Sequence, residues 1–209
     1  MSSEKDGPEE FIRTHLHVHP AAMLPEILLY TAHPGSRLRQ LVGETDVPPY
    51  WAYGWAGGTV LARLLLDDPH HVNGIRVLDL GCGSGVVGIA AAKAGAVQVM
   101  AADIDANALA ATRLNASLNR VDIETIEGDL LGGPLPQADM VLVGDLFYEK
   151  ATAARVLPWL KACREAGKSV LIGDPFRAHL PKGSLNRIAT YEVPDFGSGS
   201  GRAGVFTLP

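Results

Sequence analysis

Val77-Leu78-Asp79-Leu80-Gly81-Cys82-Gly83-Ser84-Gly85 decides how this chain reads. An apolar run of strand character ends in a burst of glycines, and an Ala-rich helical stretch follows at once. Glycines at that junction let the chain turn sharply and let a ligand approach the backbone with no Cβ in the way. The N–H groups that open the next helix can receive a polar or anionic group. A tight strand-to-helix turn with no ligand is the plainer alternative.

Further along the chain, strand and helix alternate. Short apolar runs at 76–80, 97–102, 123–127, 140–143 and 169–173 read as strands, and 86–94, 106–119 and 151–165 read as helices. Pro158 predicts a kink or break in the last of these, and a turn is expected near 184–187. Such alternation means βαβ units, hence an α/β fold with a doubly wound, mostly parallel seven-strand sheet and helices on both faces. The tail, RIATYEVP then AGVFTLP around a Gly/Ser segment at 197–201, predicts a closing C-terminal antiparallel hairpin. Upstream, 58–67 has amphipathic helical spacing and PEILLY at 25–30 reads as a short helix. Residues 1–10 read as disordered, 1–50 as an N-terminal extension and cap, and 51–209 as the main domain.

The chain has 209 residues, 47% hydrophobic and 20% charged, enough for one globular core. A net charge of −5 argues against a nucleic-acid partner, which favours a basic stripe. The two cysteines, Cys82 and Cys163, have neither CxxC nor Cys/His spacing, which predicts a reducing compartment and no zinc site. The acidic start MSSEKDGPEE resembles no targeting segment, so the expectation is a cytoplasmic, monomeric protein away from membranes. His15, His17 and His19 would share one face of an extended segment, and His70-His71 reads as a loop; neither has the further ligands that a metal site needs.

Acids follow the strands: Asp103, Asp129, Asp145 and Asp174. Ligands of open α/β sheets bind at the carboxyl ends of strands, although any one acid could equally be an N-cap or turn residue. Gly83 to Gly88 also matches GxGxxG, with Asp103 near the spacing of a ribose-binding acid, so an NAD-dependent oxidoreductase competes. Against it, Asp79 precedes the glycines, where a carboxylate would repel a pyrophosphate but could meet the amino group of a methionine moiety. Asp103 would then accept from ribose hydroxyls and Asp129 from an adenine amine.

VLDLGCGSG, AADID, EGDLL and VGDLFYE together resemble the successive motifs of seven-strand (class I) methyltransferases. More narrowly, PEI (25–27), PYWAYGWAGG (49–58), LNASLNR (114–120), GDLFYE (144–149) and GDPFR (173–177) resemble the electron-transfer-flavoprotein β-subunit lysine methyltransferases. The resemblance covers about residues 24–209 and implies methyl transfer from S-adenosyl-L-methionine to lysine side chains of that flavoprotein subunit. Bacterial relatives are also linked to a ribosomal stalk protein; another ribosomal protein or a small amine are the alternative acceptors, and a catalytically dead interaction module is the non-enzymatic one. By position, Gly81, Gly83, Gly85 and Asp103 would bind the cofactor together with Asp79, Trp55 and Asp129, while Asp145 and Tyr148 would line the catalytic site. Phe147, Trp51, Tyr53 and Trp55 could complete an aromatic wall around the lysine stem, or simply pack. Arg177 could contact substrate or serve as a salt-bridge partner.

Overall fold

A computed structural model describes residues 7–42, 48–194 and 200–209. The chain runs α1 (Pro8–His15), β1 (His17–Ala21), β2 (Leu24–Thr31), α2 (Leu38–Val42), α3 (Ala56–Asp67), β3 (Arg76–Leu80) and α4 (Val86–Lys93). It continues through β4 (Gln98–Asp103), α5 (Ala106–Asn119), β5 (Glu124–Glu127), β6 (Met140–Gly144), α6 (Lys150–Glu165), β7 (Ser169–Asp174), β8 (Asn186–Pro194) and β9 (Ser200–Thr207). Seven strands form one sheet in the order β5-β4-β3-β6-β7-β9-β8. The first five of that order are parallel neighbours, and β9 pairs antiparallel with both β7 and β8.

Alternation along the buried strands builds two cores. Val77, Val99, Leu142 and Leu171 face α3 and α4, packing on Val60, Leu61, Leu65 and Ile89. Their neighbours Leu78, Leu80, Val141, Val143 and Ile172 face the other way, onto Val156, Trp159 and Leu160 of α6. From β3 the chain moves outward to β4 and β5, then returns across β3 to β6 and β7. That reversal opens a crevice at the carboxyl ends of β3 and β6.

Four local expectations change. PEILLY is not helical: it lies in β2, with Ile27 and Leu29 buried on one face, paired to β1. Residues 8–10, expected to be disordered, begin α1, which buries Phe11 and Ile12 against Leu114 and Ala111 of α5; residues 1–6 lie outside the described part, as does most of the 197–201 segment. Pro158 does not break α6, which is continuous across it. Ala154 and Pro158 are both exposed, so the carbonyl that Pro158 leaves unpaired faces water. The turn expected at 184–187 is a short 3-10 turn at Lys182–Ser184.

The small β1–β2 ribbon is tied to α5 by side-chain amides. Asn119 accepts from Leu28 N–H at 3.0 Å and donates to the Leu28 carbonyl at 2.7 Å, while Asn115 accepts from Tyr30 N–H at 2.8 Å. The LNASLNR stretch is therefore a clamp. His17 stacks on His33 with ring centroids 3.8 Å apart, whereas His15 closes α1, so the three histidines do not share one extended face. Among the described residues no group of three or more His, Cys, Asp or Glu could hold a metal ion, and no helix is long and apolar enough to cross a membrane.

Candidate active site

The glycine run lies at the mouth of the crevice. Gly81 N–H and Cys82 N–H both donate to the Ala102 carbonyl, so the turn starts bonded to the end of β4. Gly81, Gly83 and Gly85 have φ of +68°, +54° and +78°, a region that side chains disfavour. A Cβ on Gly81 would stand 2.6 Å from Leu146, and one on Gly85 2.8 Å from Thr112. At Gly83 the nearest atom would be 3.8 Å away, so there the glycine leaves an open approach to backbone. Helix α5 braces the loop: Thr112 donates to the Gly83 carbonyl at 3.2 Å and Asn115 to the Ser84 carbonyl at 2.8 Å.

Two acids hold this loop with their own oxygens. Asp79 Oδ2 accepts from Gly88 N–H at 2.9 Å, joining β3 to α4. Asp103 Oδ2 accepts from Gly83 N–H and Oδ1 from Asp105 N–H, each at 3.0 Å. Burial pushes Asp79 up to about 7 and raises Asp103 as well, against the pull of its backbone hydrogen bonds. Asp129 accepts from Leu131 N–H and from Arg155 at 2.6 Å, and the arginine bond holds it below the usual carboxylate range. Cys82 is buried between these groups and raised well above its ordinary range, which makes it no nucleophile at neutral pH.

From there a cavity of about 470 Å³ runs past Asp129, Asp103, Gly83 and Asp79 toward Asp145 and Tyr148. That is ample for a small-molecule cofactor. Beside Asp103, Ile104 is 75% exposed and offers an apolar face to the cavity, which sequence reasoning missed because one Ile after a strand carries no signal.

The far end is built differently. Asp145 follows β6 with φ +60°. Its Oδ2 accepts from Gly58 N–H at 2.7 Å in the first turn of α3, and its Oδ1 pairs with Arg177 Nη2 at 2.9 Å. Gly57 makes the approach possible, since a Cβ there would stand 2.7 Å from Asp145 Oδ2 and strike the Gly173 carbonyl. Burial raises Asp145, while Gly58 and Arg177 oppose that shift. Arg177 N–H donates to Asp174 Oδ1 at 2.7 Å, and the guanidinium lies 5.7 Å from the Trp55 ring centroid. Asp174 is fully buried and pushed up to about 6 by burial, and its Oδ2 has no hydrogen-bond partner among the described residues.

Tyr50, Tyr53 and Tyr148 are 44%, 40% and 45% exposed around this end of the cavity. Tyr50 meets Tyr148 at 5.9 Å and Trp55 at 5.6 Å between ring centroids, and Trp55 Nε1 donates to the Tyr50 carbonyl. Phe147 is not part of the wall: it is fully buried in the core shared with α6. Trp51 lines the cavity with one edge but packs chiefly among α1 and α5 residues. Arg177, left open between two roles, lies on the cavity wall.

Residues 56–144 match the model of the ribosomal protein L11 methyltransferase (PrmA) family. The electron transfer flavoprotein beta subunit lysine methyltransferase of Danio rerio is 43% identical over 206 residues, covering 92% of this chain and 78% of its own. The Xenopus laevis protein of the same name is 38% identical over 205 residues, covering 90% and 80%. Among solved structures, a ribosomal protein L11 methylase from Lactobacillus delbrueckii subsp. bulgaricus superimposes with a TM-score of 0.52 at 22% identity, covering 75% of this chain and 80% of that one, which speaks for the fold alone. The match to the L11-type family model ends at Gly144, before Asp145, Tyr148 and Arg177, whereas the Danio rerio and Xenopus laevis relatives match over 92% and 90% of the chain. This chain is a methyltransferase, and it belongs to the electron transfer flavoprotein beta subunit lysine methyltransferase family.

Proposed function

We propose that this chain transfers methyl groups from S-adenosyl-L-methionine to lysine side chains of the electron transfer flavoprotein β subunit. The carrying observation is a buried carboxylate, Asp145, at the end of a ligand-sized cavity whose rim is three exposed tyrosines. That is the environment a long aliphatic stem ending in a nitrogen would seek.

The residues present fit the cofactor. The glycine run leaves room for close approach, Asp79 would receive an amino group, Asp103 ribose hydroxyls, and Ile104 and Asp129 would flank the adenine. When bound, S-adenosylmethionine supplies a methyl on a sulfonium, already electrophilic. With the cofactor held there, the lysine ammonium would first lose its proton to water, and the amine nitrogen would then take the methyl as the carbon–sulfur bond breaks with its electron pair on sulfur. Holding the nitrogen in line contributes roughly 7–11 kcal/mol. Reaching the neutral amine at about pH 7.4 costs about 4 kcal/mol from a reference pKa near 10.4. Alignment outweighs deprotonation, and in this reading Asp145 and Tyr148 would provide it. Asp145 is a poor proton acceptor here, because its two oxygens are already engaged by Gly58 and Arg177.

Incubation with labelled S-adenosylmethionine and purified flavoprotein β subunit, followed by mass spectrometry, is expected to place label on lysines. Label on a ribosomal protein of a whole lysate instead, with none on the flavoprotein, would reassign the acceptor. Stabilisation by NAD but not by S-adenosylhomocysteine would remove the methyltransferase chemistry altogether.

A further inference from the structure

We propose that Arg177 selects the unprotonated amine: its guanidinium occupies the cation place beside Asp145, so that a second cation is disfavoured at the point where methyl is transferred. This rests on the lysine-acceptor reading above.

An incoming nitrogen would not meet a bare carboxylate at Asp145, because Oδ2 is held by Gly58 N–H at 2.7 Å and Oδ1 by Arg177 at 2.9 Å. The Asp145 side chain is 11% exposed, against 26% for Arg177, so the positive member of the pair is the more open. Arg177 also lines the cavity and lies over Trp55, the aromatic face that would otherwise attract an ammonium. A carboxylate and an indole that could hold a lysine cation are thus both engaged by the Arg177 guanidinium, which leaves the exposed tyrosines of the rim to receive the aliphatic stem.

A like charge close by destabilises the charged form of a group and lowers the pKa of an amine. Here that acts on the lysine itself, whose neutral form is the only nucleophile. The proton leaves to water before transfer, and the amine then attacks as described above. No basic residue is required, which removes the mismatch between a carboxylate and an ammonium.

The remaining groups around Arg177 set the sign. Asp174, at the end of β7, is fully buried and does not line the cavity; its charge works against Arg177. Tyr50 and Tyr148 stand at the rim. The first turn of α3 contributes Gly57, Gly58 and Thr59, none of them ionisable. Asp145 itself offsets Arg177 at 2.9 Å but is the less exposed of the pair, so that among the described residues the charge presented to this end of the cavity is the Arg177 guanidinium.

The test is the single-turnover rate of the full chain, preloaded with S-adenosylmethionine and saturated with flavoprotein β subunit, from about pH 6.5 to about pH 9.5, where the lysine's loss of a proton shows as a rising limb. Arg177→Gln is expected to move that limb about 1 pH unit or more to the alkaline side, while Arg177→Lys leaves it near the wild-type position. Asp174→Asn is expected to move it the opposite way by less, and decides the matter if Arg177→Gln fails to fold. An unmoved limb in Arg177→Gln overturns the proposal, as does an unmoved limb with a lowered KM, which would make Arg177 only a competitor for Asp145. An alkaline shift in Asp174→Asn overturns it too. If the wild type transfers no methyl at any pH, the acceptor reading fails first and this inference falls with it.

Discussion

The two ends of the cavity are made by different means. At the glycine run, backbone does most of the shaping: three left-handed glycines, two acids that spend oxygens on N–H groups of the loop and of the helix after it, and a helix that braces two loop carbonyls. At the Asp145 end, side chains do it, with half-open tyrosines around a charge pair. A backbone-built site is specific for one small ligand and tolerates little change. A side-chain-built site can be retuned for its acceptor while the first end stays fixed.

The sharpest way to break this contrast is Asp145→Ala. It should lower methyl transfer by about 100-fold or more while cofactor affinity stays within a few-fold, read by single-turnover assay and calorimetry. Wild-type turnover would show that the second end is not where chemistry happens. Gly85→Ala attacks the first end instead. With φ +78° and Thr112 in the way, it should cost about 1–3 kcal/mol of fold stability and weaken S-adenosylhomocysteine by about tenfold or more. Unaltered binding would mean the loop can take up a Cβ and is not the rigid end of the cavity.

Proton linkage separates the ends further. Asp79, near 7 when free, must be ionised to meet an ammonium group, so cofactor affinity should fall as pH drops, by up to about tenfold per unit below about pH 6.5. Asp79→Asn should bind weakly with no such slope, and calorimetry across pH 5.5 to 8 would check it. The same raised acids set stability without ligand. Folded Asp79 and Asp174 hold protons that the unfolded chain has already lost between about pH 4 and pH 7, so stability falls as pH rises through that window. Between pH 6 and 8 the loss should be about 1–2 kcal/mol, measurable by denaturant melts. The smallest effect is expected of Tyr148→Phe, a few-fold rise in KM for the protein acceptor with cofactor affinity unmoved; a larger loss in kcat than in KM would give its hydroxyl a part in the transfer step.

How much of this was legible follows from where each signal lies. The alternating strands and helices, the glycine turn and the C-terminal hairpin are local patterns, whereas the order of the strands in the sheet is visible only in the structure. PEILLY misleads because a short apolar run fits helix and strand alike, and its partner β1, HVHPA, has no apolar alternation to betray a ribbon. Helix α1 carries start signals, a proline at its first position and Glu9 and Glu10 in the first turn, yet what fixes it is Phe11 and Ile12 burying against α5, about a hundred residues away. At the site, Asp79, Asp103, Asp145 and Tyr148 stand out as residue types after strands. That Gly58 N–H and Arg177 take both oxygens of Asp145 is visible only once α3 and the loop after β7 are brought together.

The asparagine clamp on β2 has a further consequence for the life of the protein outside catalysis. A two-stranded ribbon has two bare edges, and each is a template on which another chain can add a strand. Asn115 and Asn119 act as a counterfeit neighbour on one edge, filling the N–H and carbonyl positions that a third strand would use. The other edge, β1, carries Pro20, which has no N–H to offer, and two exposed histidines. An apolar ribbon that could seed aggregation is thereby kept from polymerising, and replacing Asn119 by an aliphatic residue would be felt first as lost solubility.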